Sequence, residues 1–182
     1  MALMDIVAHG LWAGLGAVWL GRQRPVSRKQ ITGAVVLGML PDVVHLLPVA
    51  GWAVFGGGTA AALATYAFAM PGAEPAMPVL VTEAAHHLHC MMHSALIAAA
   101  IGWLLSRRPE WWRVLVVPLT GWWLHVGIDV FTHSAEYYPS PVLYPITQKG
   151  FDGIAWNAPW FLLANYAALA LAACLLWRGR QG

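Results

Sequence analysis

The stretch from Trp112 to His133, WRVLVVPLTGWWLHVGIDVFTH, combines the two features that decide the fold. It is long and apolar enough to cross the hydrocarbon of a bilayer as a helix, which takes roughly 20 residues. In its second half, His125, Asp129 and His133 recur every fourth residue, so they lie on one helical face. An apolar span with such a polar stripe predicts a membrane helix that turns polar groups towards neighbouring helices.

The composition of the whole chain also favours a membrane. Hydrophobic residues make up 59% of the 182 residues and charged residues only 10%, whereas soluble domains carry about 25% charged residues. Four further stretches have the length and apolarity of a span: Leu3–Leu20, Ile31–Phe55, Glu83–Leu105 and Pro159–Trp177. The sequence therefore predicts an all-α fold, a polytopic membrane helix bundle of about five transmembrane helices. These helices form a single domain over residues 1–182.

The distribution of basic residues predicts the orientation of the helices. Of the ten Lys and Arg residues, nine lie in the first or third connection or after the last helix, namely Arg22, Arg24, Arg28, Lys29, Arg107, Arg108, Arg113, Arg178 and Arg180. Because basic connections stay in the cytoplasm, the N-terminus is expected outside and the C-terminus inside, N-out/C-in. A net charge of +2 without any basic run argues against nucleic acid as a partner. No pattern in the chain predicts an oligomeric state.

A layer of polar residues crosses the first four predicted helices. These helices and their ends contain all eight histidines and three aspartates: His9, His45, His86, His87, His89, His93, His125, His133, Asp5, Asp42 and Asp129. Within each predicted helix, most of these residues are three, four, seven or eight positions apart and therefore share one helical face. Asp5 and His9, four residues apart, are an example. A similar depth, roughly 9–15 Å below the outer helix end, is expected for one histidine of each helix: His9, His45, His93 and His125.

This polar layer indicates a metal site. An aspartate at the centre of a membrane helix costs about 2.5–3.5 kcal/mol, and buried charges persist where they are paired or bind a metal. Imidazole and carboxylate ligands suit a divalent metal, first of all Zn²⁺ and alternatively Mn²⁺ or Fe²⁺, and they suffice for one or two ions. The preferred ligands are His9, Asp42, His45, His93, His125 and Asp129, with His89 and His133 as second choices.

Several polar residues also have simpler interpretations. Asp5 and Glu136 are candidates for a general base, but Asp5 could cap its helix and Glu136 could be a solvated loop acid. The loop Gly56–Thr82 contains an apolar segment, Thr59–Met70, that is either an interfacial or re-entrant helix or a plain connector. Three histidines could be solvated at the level of the headgroups: His86, His87 and His89.

Five short motifs follow one another along residues 1–145. The first predicted helix contains AHGL (8–11) and the second contains PDVVH (41–45). A His-rich segment ends in HS (93–94), and HVGIDVFT (125–132) leads to the loop PVLYP (141–145). In this order and combination the chain resembles the inner-membrane metal-dependent hydrolase family (YdjM-like).

The resemblance implies a metal-dependent hydrolase of the bacterial inner membrane, with its site on the periplasmic or outer side. A metal site open to the outer leaflet would suit a lipid or lipid-linked ester or phosphoester as the substrate, with Asp129 and a general base, Asp5 or Glu136, as catalytic residues. Val44 stands where the family has a second aspartate, and the family's Arg-Gly and Thr before His-Ser are replaced around His87–Met92. These departures bear on the number of metal ions and on the substrate more than on the presence of a metal. A likeness to zinc-dependent phospholipase C through His-x-x-x-Asp favours a phosphoester, by analogy.

Two other classes of protein use similar residues. A metal-ion binding or transport protein would hold the same ligands without hydrolysis. A transport path, however, predicts polar residues that continue to the cytoplasmic side, where the predicted helices contain almost none. A haem protein would use two histidines on facing helices and would give no role to Asp42 and Asp129. The sequence therefore favours an enzyme or a closed metal site over a transport path.

Overall fold

Every regular element in the described part of the chain is an α-helix. The computed structural model describes residues 2–70, 72–136 and 138–179, with side chains from residue 6 onwards. The helices are α1 (Ala2–Leu20), α2 (Arg28–Val44), α3 (Leu46–Phe55), α4 (Ala60–Phe68), α5 (Val79–Met92), α6 (Ala95–Ser106), α7 (Pro109–Thr132) and α8 (Pro159–Arg178). The prediction of an all-helical fold is confirmed.

Two of the predicted spans are broken in the structure. The span predicted at Ile31–Phe55 forms α2 and α3, bent by 59°, and the span predicted at Glu83–Leu105 lies within α5 and α6, bent by 64°. By length and composition, α7 and α8 could each cross a membrane, and up to four spans result if each bent pair counts as one. The apolar part of α1, Ile6–Leu20, is shorter than these helices. The described part of the chain thus has two to four candidate spans, and the fifth stays a prediction.

A proline explains the break between α2 and α3. Pro48 lies in the first turn of α3, where its missing N–H is not needed. In a continuous helix its ring would clash with the carbonyl group of residue 44. Because of this clash, α2 ends at Val44 and His45 lies at the bend.

Hydrogen bonds from a distant loop hold the break between α5 and α6. Ser94 is the N-cap of α6, and its hydroxyl accepts from the Ile97 N–H (3.2 Å) and donates to the Tyr144 carbonyl oxygen (2.6 Å). The Ala95 N–H donates to the Val142 carbonyl oxygen (2.9 Å). The break therefore leaves His93 at the C-terminal end of α5.

The central helix α7 packs against α1, α2 and α6. Gly121 allows α7 to approach α2 closely, since a Cβ there would lie 2.0 Å from the Ala34 carbonyl oxygen. Ala17, Ala34 and Val117 form a buried cluster between these helices, as expected where membrane helices pack through small residues. This packing fixes the second half of α7, with its polar stripe, against α1 and α2.

The two long connections are structured. The loop Gly56–Thr82 contains α4, whose N-cap Thr59 accepts from the Ala62 N–H (3.0 Å), and α4 packs against α3 and α1. After α7 the chain folds back on this helix, where the Gly153 N–H donates to the His133 carbonyl oxygen (2.8 Å). The second connection therefore lies against the C-terminal end of α7.

Candidate metal centre

Four polar side chains from three parts of the fold meet at one point. Asp42 comes from the last turn of α2, His93 from the α5–α6 break, and His125 and Asp129 from successive turns of α7. One ligand atom of each lies within 4.8 Å of the ligand atoms of the others. His93, His125 and Asp129 are completely buried, whereas the side chain of Asp42 is 17% exposed. This group could hold a metal ion.

Backbone carbonyl groups orient the two imidazoles. His125 Nδ1–H donates to the Gly38 carbonyl oxygen on α2 (2.8 Å), and His93 Nδ1–H donates to the His89 carbonyl oxygen (2.8 Å). A carbonyl oxygen only accepts, so the hydrogen is on Nδ1 in both rings and the Nε2 atoms face the centre of the group. Metal-binding histidines in proteins are held in the same way, by a hydrogen bond from the other ring nitrogen.

The spacing of the ligand atoms fits a single small ion. The Nε2 atoms of His93 and His125 lie 3.1 Å apart, and each lies 3.1 Å from Asp129 Oδ2. Asp42 Oδ1 is 3.3 Å from His93 Nε2 and 3.6 Å from His125 Nε2. Ligand atoms 2.0–2.1 Å from a zinc ion sit about 3.3–3.4 Å apart at the corners of a tetrahedron. The separations in the structure cluster around this value.

The electrostatics of the group require a positive charge. Both oxygens of Asp129 are buried and have no hydrogen-bond partner among the described residues, although imidazole nitrogens surround them. An isolated buried carboxylate is strongly destabilising unless it is paired or coordinated. The positive charge could come from a proton on one imidazole or from a metal ion. A proton forms a hydrogen bond between one nitrogen and one acceptor, whereas a metal ion at the centre would contact all four ligand atoms.

Two further predicted ligands lie on the other side of Asp129. His9 Nε2 is 3.0 Å from Asp129 Oδ1, and His133 Nε2 is 3.7 Å from the same oxygen. Both histidines are buried. The His9 ring also stacks on His125, with centroids 4.0 Å apart. All three residues of the polar face predicted for α7, His125, Asp129 and His133, therefore lie in or next to this group.

His45 and His89 lie beside the four-residue group and outside it. The ring of His89 stacks on His93 with centroids 4.0 Å apart, and His45 meets His89 edge-on at 5.5 Å. At the α2–α3 bend, His45 Nδ1 lies 3.2 Å from the Tyr66 hydroxyl, with which it forms a hydrogen bond. The three rings form a row that leads away from the buried group.

The remaining polar residues of the prediction lie further out. His86 is exposed and bonds Gln148 (3.3 Å), and His87 is exposed and bonds the Tyr144 hydroxyl (2.9 Å). Glu136 is exposed in the turn after α7. Asp5 lies on α1, and its side chain is outside the described part of the structure.

A cavity of about 320 Å³ opens beside the group. Asp42, His45, His89 and His133 line it on the side of the buried cluster. Apolar residues of α1, α3, α4 and the connection after α4 line part of the rest, namely Ile6, Leu46, Ala67, Ala69, Pro75 and Met77. Asp42 thus belongs to both the cluster and the cavity wall. A molecule in the cavity would reach the candidate metal centre from the Asp42 side.

Several residues of the cavity wall were not identified from the sequence, among them Tyr66, Glu74 and Tyr138. The connection between α3 and α5 contains Tyr66, on α4, and Glu74, and the connection after α7 contains Tyr138. The Tyr138 hydroxyl donates to the Glu74 carboxylate. Burial, and then the negative charge of Glu74, raise the pKa of Tyr66, so its hydroxyl keeps its proton at neutral pH. No local pattern connects these residues to the histidines, because only the folding of the two connections brings them together.

Comparison with models of known protein families, with curated proteins and with solved structures gives no match. The likeness to metal-dependent hydrolases therefore rests on the motifs quoted above.

Proposed function

We propose that this chain is a membrane-embedded metal-dependent hydrolase, with zinc held by Asp42, His93, His125 and Asp129. The proposal rests on one observation. The ligand atoms of these residues lie within 4.8 Å of one another, with His–His and His–Asp separations of 3.1–3.6 Å, and backbone carbonyl groups orient both imidazoles.

The donor set favours zinc over magnesium or calcium. Two imidazole nitrogens are unusual ligands for Mg²⁺ and Ca²⁺, which take oxygen. Six ligands at 2.0–2.1 Å around Mg²⁺ would also lie about 2.9 Å from their neighbours, closer than any separation in this group. Mn²⁺ and Fe²⁺ accept the same donor types and remain alternatives. A bound zinc ion lowers the pKa of a coordinated water towards 7 and polarises an ester or phosphoryl oxygen.

The cavity supports a substrate with both polar and apolar parts. Asp42 brings the polar group of a substrate to the centre, while the Tyr66 hydroxyl and the imidazoles of His45 and His89 are among the polar groups that line the cavity. The apolar wall suits the hydrocarbon portion of the same molecule. We therefore propose a lipid or lipid-linked ester or phosphoester as the substrate, reached from the outer leaflet.

The proposed membrane arrangement is five spans, N-out/C-in, in a bacterial inner membrane, with the site near the outer face. In its support, the basic residues gather at the opposite end of the bundle from the site. The Arg22 side chain donates to the Leu176 carbonyl oxygen (2.6 Å) near the end of α8, and the Gln30 side chain donates to the Arg113 carbonyl oxygen (3.0 Å) near the start of α7.

The metal proposal is tested by metal analysis of the detergent-purified protein. We expect bound zinc in the wild type and a lower zinc content in the double variant His93→Ala/His125→Ala, which lacks both imidazole ligands of this centre. His87→Ala is the matched control, because His87 is exposed and bonds Tyr144 outside the cluster. Equal metal content in the wild type and the double variant would remove the site.

Hydrolysis is tested separately with a panel of ester and phosphoester lipids in vesicles. We expect metal-dependent release of phosphate, headgroup or fatty acid that Asp129→Asn abolishes and the exposed control Glu83→Gln retains. Asp5→Asn and Glu136→Gln identify the general base, which should be the one whose removal lowers turnover without lowering metal content. Bound metal without any release would favour a metal-binding or transport protein.

A further inference from the structure

The two oxygens of Asp129 face two different pairs of imidazoles. Oδ2 lies 3.1 Å from both His93 Nε2 and His125 Nε2, within the metal centre described above. Oδ1 lies 3.0 Å from His9 Nε2 and 3.7 Å from His133 Nε2. The carboxylate therefore has a separate set of nitrogen neighbours on each oxygen, and both sets are buried.

In the second pair, a backbone carbonyl group orients His133 in the same way as the imidazoles of the first pair. His133 Nδ1–H donates to the Tyr138 carbonyl oxygen (2.6 Å), which leaves its Nε2 as the nitrogen on the Asp129 side. This Nε2 is buried and has no hydrogen-bond partner among the described residues. The distances of 3.0 and 3.7 Å from Oδ1 lie on either side of the ligand separation of about 3.3–3.4 Å around zinc.

We propose that His9, His133 and Asp129 Oδ1 form a second divalent-metal site, so that Asp129 bridges two ions. The inference rests on the proposed metal centre and is independent of the proposed hydrolysis. His133 also lines the cavity, so the second ion would be reached from the same space as the first. Two metal ions about 3.5–4 Å apart can stabilise both the attacking and the leaving oxygen in a displacement reaction.

A proton is the alternative cation at this position. A protonated His9 or His133 could donate to Oδ1 and satisfy Asp129 with a single metal ion on the other side. The two arrangements differ in the number of bound ions and in the effect of removing His133. Counting ions therefore decides between them.

The test is a zinc titration of the metal-stripped, detergent-purified protein, followed by metal analysis after removal of free zinc. We expect two ions per chain in the wild type and in the control His87→Ala, and one ion in His133→Ala and in His133→Gln. His93→Ala should also fall to one ion, through loss of the other site. Thermal unfolding of each variant verifies that it is folded.

Anomalous scattering at the zinc edge then locates the ions, with two peaks expected on opposite sides of the Asp129 carboxylate. One ion per chain in the saturated wild type would overturn this inference and leave the first site intact. Two ions that persist in both folded His133 variants would also overturn it. No bound zinc at all would remove the metal centre itself and the proposed function with it.

Discussion

The Nε2 atoms of His93 and His125 lie 3.1 Å apart, although each ring already donates its Nδ1 hydrogen to a backbone carbonyl oxygen. Two neutral imidazoles in this arrangement direct lone pairs at each other, and Asp129 Oδ2 adds negative charge 3.1 Å from both. A cation between these atoms turns repulsion into attraction. The stability of the fold should therefore depend on that cation.

Removal of the metal should lower the thermal stability of the purified protein. An ion that binds only the folded state at 100 times its Kd contributes about 2.7 kcal/mol to the free energy of unfolding. Thermal unfolding followed by tryptophan fluorescence, with zinc and then with a chelator, measures the shift. The variant His93→Ala/His125→Ala should show a smaller zinc-dependent shift than the wild type, and an equal shift in both proteins would contradict the prediction.

Gly121→Ala should destabilise the bundle severely. The added Cβ would lie 2.0 Å from the Ala34 carbonyl oxygen, which is backbone and can yield only if α2 and α7 separate. We expect a cost above the about 1–3 kcal/mol of ordinary overpacking. Gly127→Ala on the same helix is the control, because a Cβ there meets nothing within 4 Å and should gain about 0.5–1 kcal/mol. Similar unfolding temperatures for the two variants would refute the close crossing.

Ser94→Ala should weaken both the fold and zinc binding. Its hydroxyl caps α6 and donates to the Tyr144 carbonyl oxygen, and it is fully buried next to His93. The loss of these hydrogen bonds should cost about 1–2 kcal/mol, and the freed α5–α6 break should raise the Kd for zinc. Ser106→Ala, which removes an exposed hydroxyl, should change stability by less than about 0.5 kcal/mol. Zinc titration and thermal unfolding of both variants check this prediction.

Tyr66→Phe should separate metal binding from turnover. The Tyr66 hydroxyl bonds His45 and lines the cavity, but neither residue belongs to the four-residue group. We expect unchanged zinc content and a fall in hydrolysis of roughly 2- to 10-fold, the range that corresponds to one hydrogen bond. Loss of zinc in Tyr66→Phe would mean that His45 is itself a ligand.

Helical periodicity made much of the site predictable from the sequence. His125, Asp129 and His133 share one face of α7 because residues four apart on a helix always do, whatever surrounds them. The same local rule placed His9 on the first predicted span and Asp42 within the second, Ile31–Phe55, whereas the structure ends α2 at Val44, just after Asp42. Their convergence on Asp129 agrees with the predicted polar layer.

The roles of individual histidines were less predictable. The sequence ranked His45 above His133, yet His45 faces Tyr66 outside the four-residue group, while His133 Nε2 lies 3.7 Å from Asp129. The spans predicted at Ile31–Phe55 and Glu83–Leu105 are continuous helices. In the structure each is bent at a histidine, His45 in the first and His93 in the second, and this bend changes the direction of the side chain. Pro48 is a local sign of the first break, but it does not give the direction of the bend.

The sequence by itself determined which segments are helical and which polar residues share a helical face, because both depend on the chemistry of neighbours along the chain. Only the tertiary structure decided which faces meet, where α5 and α6 separate, and that α4 forms a wall of the cavity. Those outcomes depend on contacts between distant residues, such as Ser94 with Tyr144 and Tyr66 with His45. Ligand geometry around an ion is set to tenths of an ångström by such contacts, and no spacing along a chain contains that information.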